Sequence, residues 1–243
     1  MSRPAPTPAP MAAPQGQTCA LCGAPKSSAA PAEFAQLTAI ARPKTLAPGQ
    51  THTLQGDAAR DYAAVTSGVA KLVKGAEDGR SQIVGLLFAP DFLGGAMGAG
   101  DGTEAPYTIE AVSDLTLDLF PRAPFEALVA RTPALETRLM DQARDELLLA
   151  RDWMVLLGRK TARERVASFL LHVDAKMRPS ACACAPGFEL PLGRADIADY
   201  VGLTIETVSR QMSRLKKDGV IVMDGPKQVV WVDTAQLQVI AGF

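Results

Sequence analysis

Between residues 194 and 215 apolar positions recur at helical spacing twice, with a break between the two sets. Ala195, Ile197, Ala198 and Val201 fall on one face of a first helix and leave Arg194, Asp196 and Asp199 outside. Val208, Met212 and Leu215, at i, i+4 and i+7, fall on one face of a second. Gly202 ends the first helix, because glycine tolerates the positive φ that a sharp turn between helices needs. Thr204 is the expected N-cap of the second, its side-chain oxygen meeting a free backbone amide. The second helix gathers Glu206, Ser209, Arg210 and Ser213 on its polar side and closes with Arg214, Lys216 and Lys217 before Gly219. Cations there complement the C-terminal dipole and suit phosphates. Two β-rich runs, 220–223 and 228–232, flank Gly225 and predict a hairpin wing.

Upstream, Leu135, Leu139, Met140, Ala143, Leu147, Ala150, Met154 and Leu157 repeat by threes and fours. That spacing predicts a long helix with a coiled-coil-like seam. Leu139, Ala143, Leu147, Ala150 and Met154 are its expected dimerisation residues, with Asp152 as an acid beside the seam. Two copies of Asp152 brought together would weaken the pairing. Before this helix, strand-like runs at 45–55, 62–74, 81–88 and 108–120 are separated by Gly-rich turns and predict an antiparallel jelly roll. Short helices are expected at 32–41, where Phe34, Leu37 and Ile40 share a face, and at 125–135; another is expected at 161–174.

The fold class is therefore α+β. Residues 1–31 are expected to form a tail, 32–132 a jelly-roll domain (a β-roll sensor domain in the family resembled below), 133–158 a dimerisation helix and 159–243 a winged helix-turn-helix domain. With 243 residues and 47% hydrophobic positions the chain can build real cores. Its formal net charge of −1 does not advertise a nucleic-acid partner, so DNA affinity must come from the local Arg and Lys residues after position 190. No apolar run reaches the length of about 20 residues that spans a bilayer. The Pro- and Ala-rich N-terminus lacks a signal-peptide core and is expected to be a disordered, cytoplasmic tail. Catalytic motifs with a supporting context are absent, and with two histidines to serve as bases no enzyme is expected. His52 and His172 are read as packed or partly exposed side chains rather than ligands.

Arg194, Asp196-Ile197-Ala198, Gly202-Leu203-Thr204 and Glu206-Thr207-Val208-Ser209-Arg210 resemble the CRP/FNR superfamily of bacterial transcription regulators. Ile205 and Ser209 are similar to the FNR/FixK branch and imply a TTGAT-like half-site. The resemblance assigns base contacts to Glu206, Ser209 and Arg210. The chemistry suits them: Arg donates twice to guanine, Glu accepts from cytosine N4, and a small hydroxyl approaches thymine. Thr204, Arg194, Ser213, Lys216 and Lys217 complete the expected DNA-binding set. The β-roll of this family is a cyclic-nucleotide-binding domain, matched here by residues 65–72, 77–80 and 90–94. Its phosphate cassette is not matched: the corresponding regions read Gly95-Ala96 and Ala105-Pro106-Tyr107-Thr108, without an arginine to pair a buried phosphate. A cAMP ligand is not expected. The implied partners are double-stranded DNA, a second copy of the chain and RNA polymerase, with no membrane.

The signal is left open. FNR-type oxygen sensors hold a four-iron four-sulfur cluster on N-terminal cysteines and one β-roll cysteine. This chain has the pair Cys19 and Cys22, no third cysteine nearby, and Asp118 where the β-roll cysteine would stand. An iron-sulfur cluster with Cys19, Cys22 and Asp118 as ligands is one option. Thiol redox control, in which Cys182 and Cys184 would take part, a haem sensor and control by abundance are others. From a different class, a small-molecule-binding protein with a structural winged helix is the competing reading.

Overall fold

A computed structural model describes residues 35–58, 61–93, 104–177, 188–224 and 228–242. Among the described residues the N-terminal domain has α1 (Ala35–Ile40) and then seven strands: β1 (Arg42–Leu46), β2 (Thr51–Thr53), β3 (Asp61–Ser67), β4 (Val69–Gly75), β5 (Ser81–Phe88), β6 (Thr108–Ala111) and β7 (Leu115–Pro121). They form two antiparallel sheets, β1-β7-β3 and β2-β6-β4-β5. Alternation decides what each face buries. Ala63, Val65, Leu115 and Leu117 from the first sheet meet Ala70, Leu87, Ile109 and Ala111 from the second to fill the interior.

Three expected long strands are broken. The run 62–74 divides at Gly68, whose φ of +84° turns the chain and whose absent side chain lets the Asp114 carbonyl approach. The run 108–120 divides at Ser113-Asp114, where the Ser113 hydroxyl accepts the Val69 amide at 3.0 Å. The run 45–55 divides around Gly49, and β1 starts earlier than expected and contains Pro43.

The outer side of β7 and β3 carries Phe120 and Tyr62, which join Phe92 and Phe125 in an aromatic cluster. Leu37 of α1, Leu128 of α2 (Arg122–Arg131) and Leu135 of α3 (Pro133–Arg159) close it. α3 is the expected long helix, 27 residues in length. After it come α4 (Ala162–Met177), β8 (Phe188–Glu189), α5 (Arg194–Val201), α6 (Ile205–Lys217), β9 (Ile221–Asp224), β10 (Gln228–Val232) and α7 (Thr234–Ala241). β10 pairs with both β9 and β8, so the wing has a third strand that sequence periodicity did not predict; α7 was also missed.

The two domains share a core. Val69, Ile83, Leu86 and Phe88, on the side of β4 and β5 facing away from the β-roll interior, pack with Val166, Phe169, Ile197 and Tyr200. Lys71 of β4 sits between Glu110 at 2.9 Å and Asp196 of α5 at 2.8 Å. Burial works against its charge, yet the hydrogen bonds it donates to Asp196 and Glu110, together with their negative charges, outweigh burial and hold its pKa above the ordinary lysine value. Lys176 of α4 pairs with Asp91 at 2.8 Å. Among the described residues no helix is long and apolar enough to cross a membrane.

Candidate nucleic-acid interface

Gly202 adopts the left-handed conformation, φ 62° and ψ 48°, that ends α5 and turns the chain toward α6. Thr204 caps α6 as expected: its Oγ1 accepts the Thr207 amide at 3.3 Å. Val208, Met212 and Leu215 are buried beneath α6. Glu206, Arg210 and Ser213 are exposed above them, and Ser209 is half-buried. One face thus anchors the helix and the opposite face presents polar groups to solvent.

The exposed face is partly organised. Arg210 Nη2 donates to Thr207 Oγ1 at 3.4 Å, which restrains the guanidinium beside the helix N-terminus. Its own backbone N–H, then the Thr204 hydroxyl, hold the Glu206 carboxyl below the usual range, so it is an ionised acceptor at neutral pH. Arg214, Lys216 and Lys217 crowd the last turn, and Lys216 Nζ donates to the Met223 carbonyl at 3.1 Å, tying α6 to the wing. Asp218, just past α6, pairs with Arg163 of α4 at 2.7 Å.

The first helix departs from the expected pattern. Ala195 is exposed and Tyr200 is buried in its place, while Arg194 and Asp196 are half-buried rather than outside. Arg194 lies against the wing, with Nη2 3.7 Å from Met223 Sδ, and burial lowers its pKa. Asp196 faces Lys71 instead of solvent. Long-range partners from β4 and β9 recruit these residues, and a local helical pattern contains no trace of them.

On α3 the expected seam divides in two. Met140, Leu147 and Met154 are 67%, 51% and 73% exposed, and Ala143, Ala150 and Asp152 lie in the open beside them. Leu135 is buried and Leu139 half-buried against the aromatic cluster of the β-roll, so the upper end of the repeat serves the chain's own domain. Leu148 and Val155, also exposed and seven residues apart, widen the free apolar stripe. That seven-residue step was readable in the sequence but was not assigned.

Of the expected metal ligands the structure describes Asp118. Asp118 stands on central strand β7 opposite Pro43 and Ala64, on the same side as Phe120, where α1 packs. Cys19, Cys22, Cys182 and Cys184 lie outside the described residues. No group of three or more His, Cys, Asp or Glu side chains able to hold a metal occurs among the described residues. His52 and His172 are packed, as expected: His52 Nδ1 meets Lys44 Nζ at 3.0 Å, and His172 rests edge-on against Trp153 and Phe88. In the region of the unmatched phosphate cassette Ala105 is buried, the Pro106 carbonyl accepts Lys74 Nζ at 2.9 Å, and that ammonium lies 5.5 Å from the centre of the Tyr107 ring. Gly95 and Ala96 are outside the described residues.

Comparison with known proteins agrees with this geometry. A family model of the Crp-like helix-turn-helix domain matches residues 164–240, and one of the cyclic nucleotide-binding domain matches residues 43–132. The transcriptional activator protein FnrL of Cereibacter sphaeroides is 44% identical over 213 residues, which cover 86% of this chain and 84% of that protein. The nitrogen fixation regulation protein FixK of Bradyrhizobium diazoefficiens is 36% identical over 217 residues, covering 88% and 90%. The structure of FixK2 from Bradyrhizobium japonicum superimposes with a TM-score of 0.73 at 32% identity, covering 83% of this chain and 97% of that one.

Proposed function

The chain belongs to the CRP/FNR family of helix-turn-helix transcription regulators, on its FNR/FixK branch, and from that premise we propose that it is a homodimeric activator that binds TTGAT-like palindromes in response to oxygen, redox or nitric-oxide status. The observation that carries the reading is the exposed polar face of α6, held over a buried apolar face.

In this mechanism α6 enters the major groove. Arg210 donates two hydrogen bonds to a guanine, the ionised Glu206 accepts from a cytosine, and Ser209 approaches a thymine. Thr204, Ser213, Lys216 and Lys217 meet the backbone, with Arg194 placed beside the wing. The exposed stripe of α3 pairs with its copy through Ala143, Leu147, Ala150 and Met154, which sets two recognition helices about one helical turn of DNA apart. A signal at the β-roll acts by shifting that pairing, and the DNA-bound dimer contacts RNA polymerase in the cytoplasm.

FnrL is named a transcriptional activator protein and FixK a nitrogen fixation regulation protein, which supports the activator reading; the choice of signal rests on the cysteine pair Cys19 and Cys22. Cys19, Cys22 and Asp118 are the residues we propose as ligands of an iron-sulfur cluster, which would supply oxygen-labile redox chemistry when bound. DNA reading as described requires none of them, and a cyclic nucleotide is not part of the proposal.

The test combines iron and acid-labile sulfide analysis of protein purified without oxygen with binding to a TTGAT palindrome before and after air. Stoichiometric iron and sulfide, with affinity that falls in air, is the expected result. Metal-free protein that still binds the palindrome would move control to thiols or abundance. Failure to prefer the palindrome over unrelated DNA would overturn the reading of α6.

A further inference from the structure

Arg165, near the start of α4, has a guanidinium that is almost fully committed within the chain. Nε donates to the Lys160 carbonyl at 2.9 Å and Nη2 to the Leu157 carbonyl at 2.7 Å. Nη1 donates to the carbonyls of Val201 and Gly202, both at 3.2 Å. The first pair belongs to the C-terminal end of α3, the second to the C-terminal end of α5 and the turn that leads into α6. The last carbonyls of a helix have no partner within it and carry the negative end of its dipole. Two such ends converge here on one cation.

The same joint is fastened again one turn earlier. Trp153 Nε1 donates to the Tyr200 carbonyl at 3.2 Å, and the two rings stack with centroids 4.6 Å apart. Gly202 completes the contact: a β-carbon there would lie 3.1 Å from Leu157 Cδ2 and 3.5 Å from Arg165 Nη1. A planar guanidinium fits this arrangement because its N–H groups diverge in fixed directions toward both helix ends. A lysine ammonium is a point charge and cannot span them in the same way.

We propose that Arg165 is the positioning residue that fastens the helix-turn-helix turn to the end of the long helix, so that a displacement of α3 is delivered to the recognition helix α6 as a rigid-body motion. Arg165 touches no base. It sets the angle and separation at which α6 is presented, and so contributes to discrimination between half-site spacings rather than between bases. The proposal rests on the homodimer-on-palindrome reading above.

Full-length Arg165→Ala and Arg165→Lys are compared with wild type on three DNAs: the palindrome, the same half-sites with one added base pair, and unrelated DNA. In Arg165→Ala the preference for the correct spacing is expected to fall by about five- to tenfold, within the range that residues on a coupling path produce, while binding to unrelated DNA stays near wild type. Arg165→Lys, which keeps the charge without the fork, is expected to lose part of the preference and guards against a failure of the alanine variant to fold. Wild-type spacing discrimination in either folded variant, or equal losses on all three DNAs, overturns the proposal. Hydrogen exchange of the DNA-free proteins separates it from the dimer reading. If wild type shows no spacing preference, the palindrome reading fails alone, and the fastening is then judged by exchange at the end of α3 and at the Leu203 amide. Faster exchange there in the variants upholds it, and unchanged protection overturns it.

Discussion

Two helices of this protein each leave one face without a partner among the described residues, and the two faces are opposite in chemistry. α6 offers Glu206, Arg210, Ser213 and a basic last turn, while α3 offers Met140, Leu147, Leu148, Met154 and Val155. Charged groups exposed on a well-anchored helix lose nothing by remaining in water, so the α6 face is stable alone and available to a hydrated, charged partner. Apolar groups do lose by it, at roughly 25 cal/mol per Å² of surface, so the α3 face calls for a dry partner of its own kind. In the proposed function one helix reads and the other pairs, and a palindrome requires both.

The largest expected effect comes from breaking the apolar face. Leu147→Asp places a charge at the middle of the stripe at a position already 51% exposed, so the single chain should still fold. Two such charges meeting in the seam should cost about 3 kcal/mol or more, a loss in dimerisation of more than about a hundredfold. Sedimentation at several concentrations would read it, with palindrome binding falling in step. A variant that stays dimeric would show that the α3 stripe is covered by something other than its copy.

A smaller effect separates reading from pairing. Arg210→Ala should weaken palindrome binding by about 1 to 3 kcal/mol and leave unrelated DNA and the oligomeric state nearly unchanged. Equal losses on both DNAs would reduce the α6 face to a nonspecific cationic surface and remove half of the comparison.

The smallest effect comes from two packed histidines, His172 of α4 against Trp153 of α3 and His52 of β2 beside Lys44. Burial, with the charge of Lys176 adding and that of Asp91 opposing, pushes the His172 imidazole down to about 4. His52 is lowered likewise, by burial and then by Lys44, to about 4. Between the ordinary histidine value of 6.5 and about 4, the unfolded chain takes up protons that the folded chain refuses. Stability from this source is therefore complete above that window and is lost as pH falls through it. Urea melts at about pH 7.5 and about pH 4.5 should differ by on the order of 1 to 2 kcal/mol per histidine, and His172→Gln should remove its share of the difference. An unchanged pH dependence in the variant would place the acid sensitivity elsewhere.

The recognition helix was legible because its determinants are local. Gly202, Thr204 and the Val208-Met212-Leu215 spacing each act within a few residues of where they stand, and the structure has all of them in the expected roles. The seam of α3 was legible as a helix but not as a division of labour. Steps of three and four describe a residue packed on its own β-roll as well as one facing a copy, and only the aromatic cluster around Phe120 and Phe125 takes Leu139 out of the open stripe. Asp196 and Arg194 were read as solvent-facing because their partners, Lys71 and Met223, are remote in the chain.

By itself the sequence determined the long helix, the two helices of the helix-turn-helix, the turn between them and the polar side chains it presents, because hydrophobic period, capping and glycine conformations are set by neighbouring residues; β8, α7 and the breaks in the long strands lay beyond that reach. Only the tertiary structure decided that the outer face of β4 and β5 shares a core with the DNA-binding domain, and that one arginine bridges the ends of α3 and α5. Such contacts join surfaces far apart in the chain, and their energy depends on closure of the whole fold rather than on any local pattern.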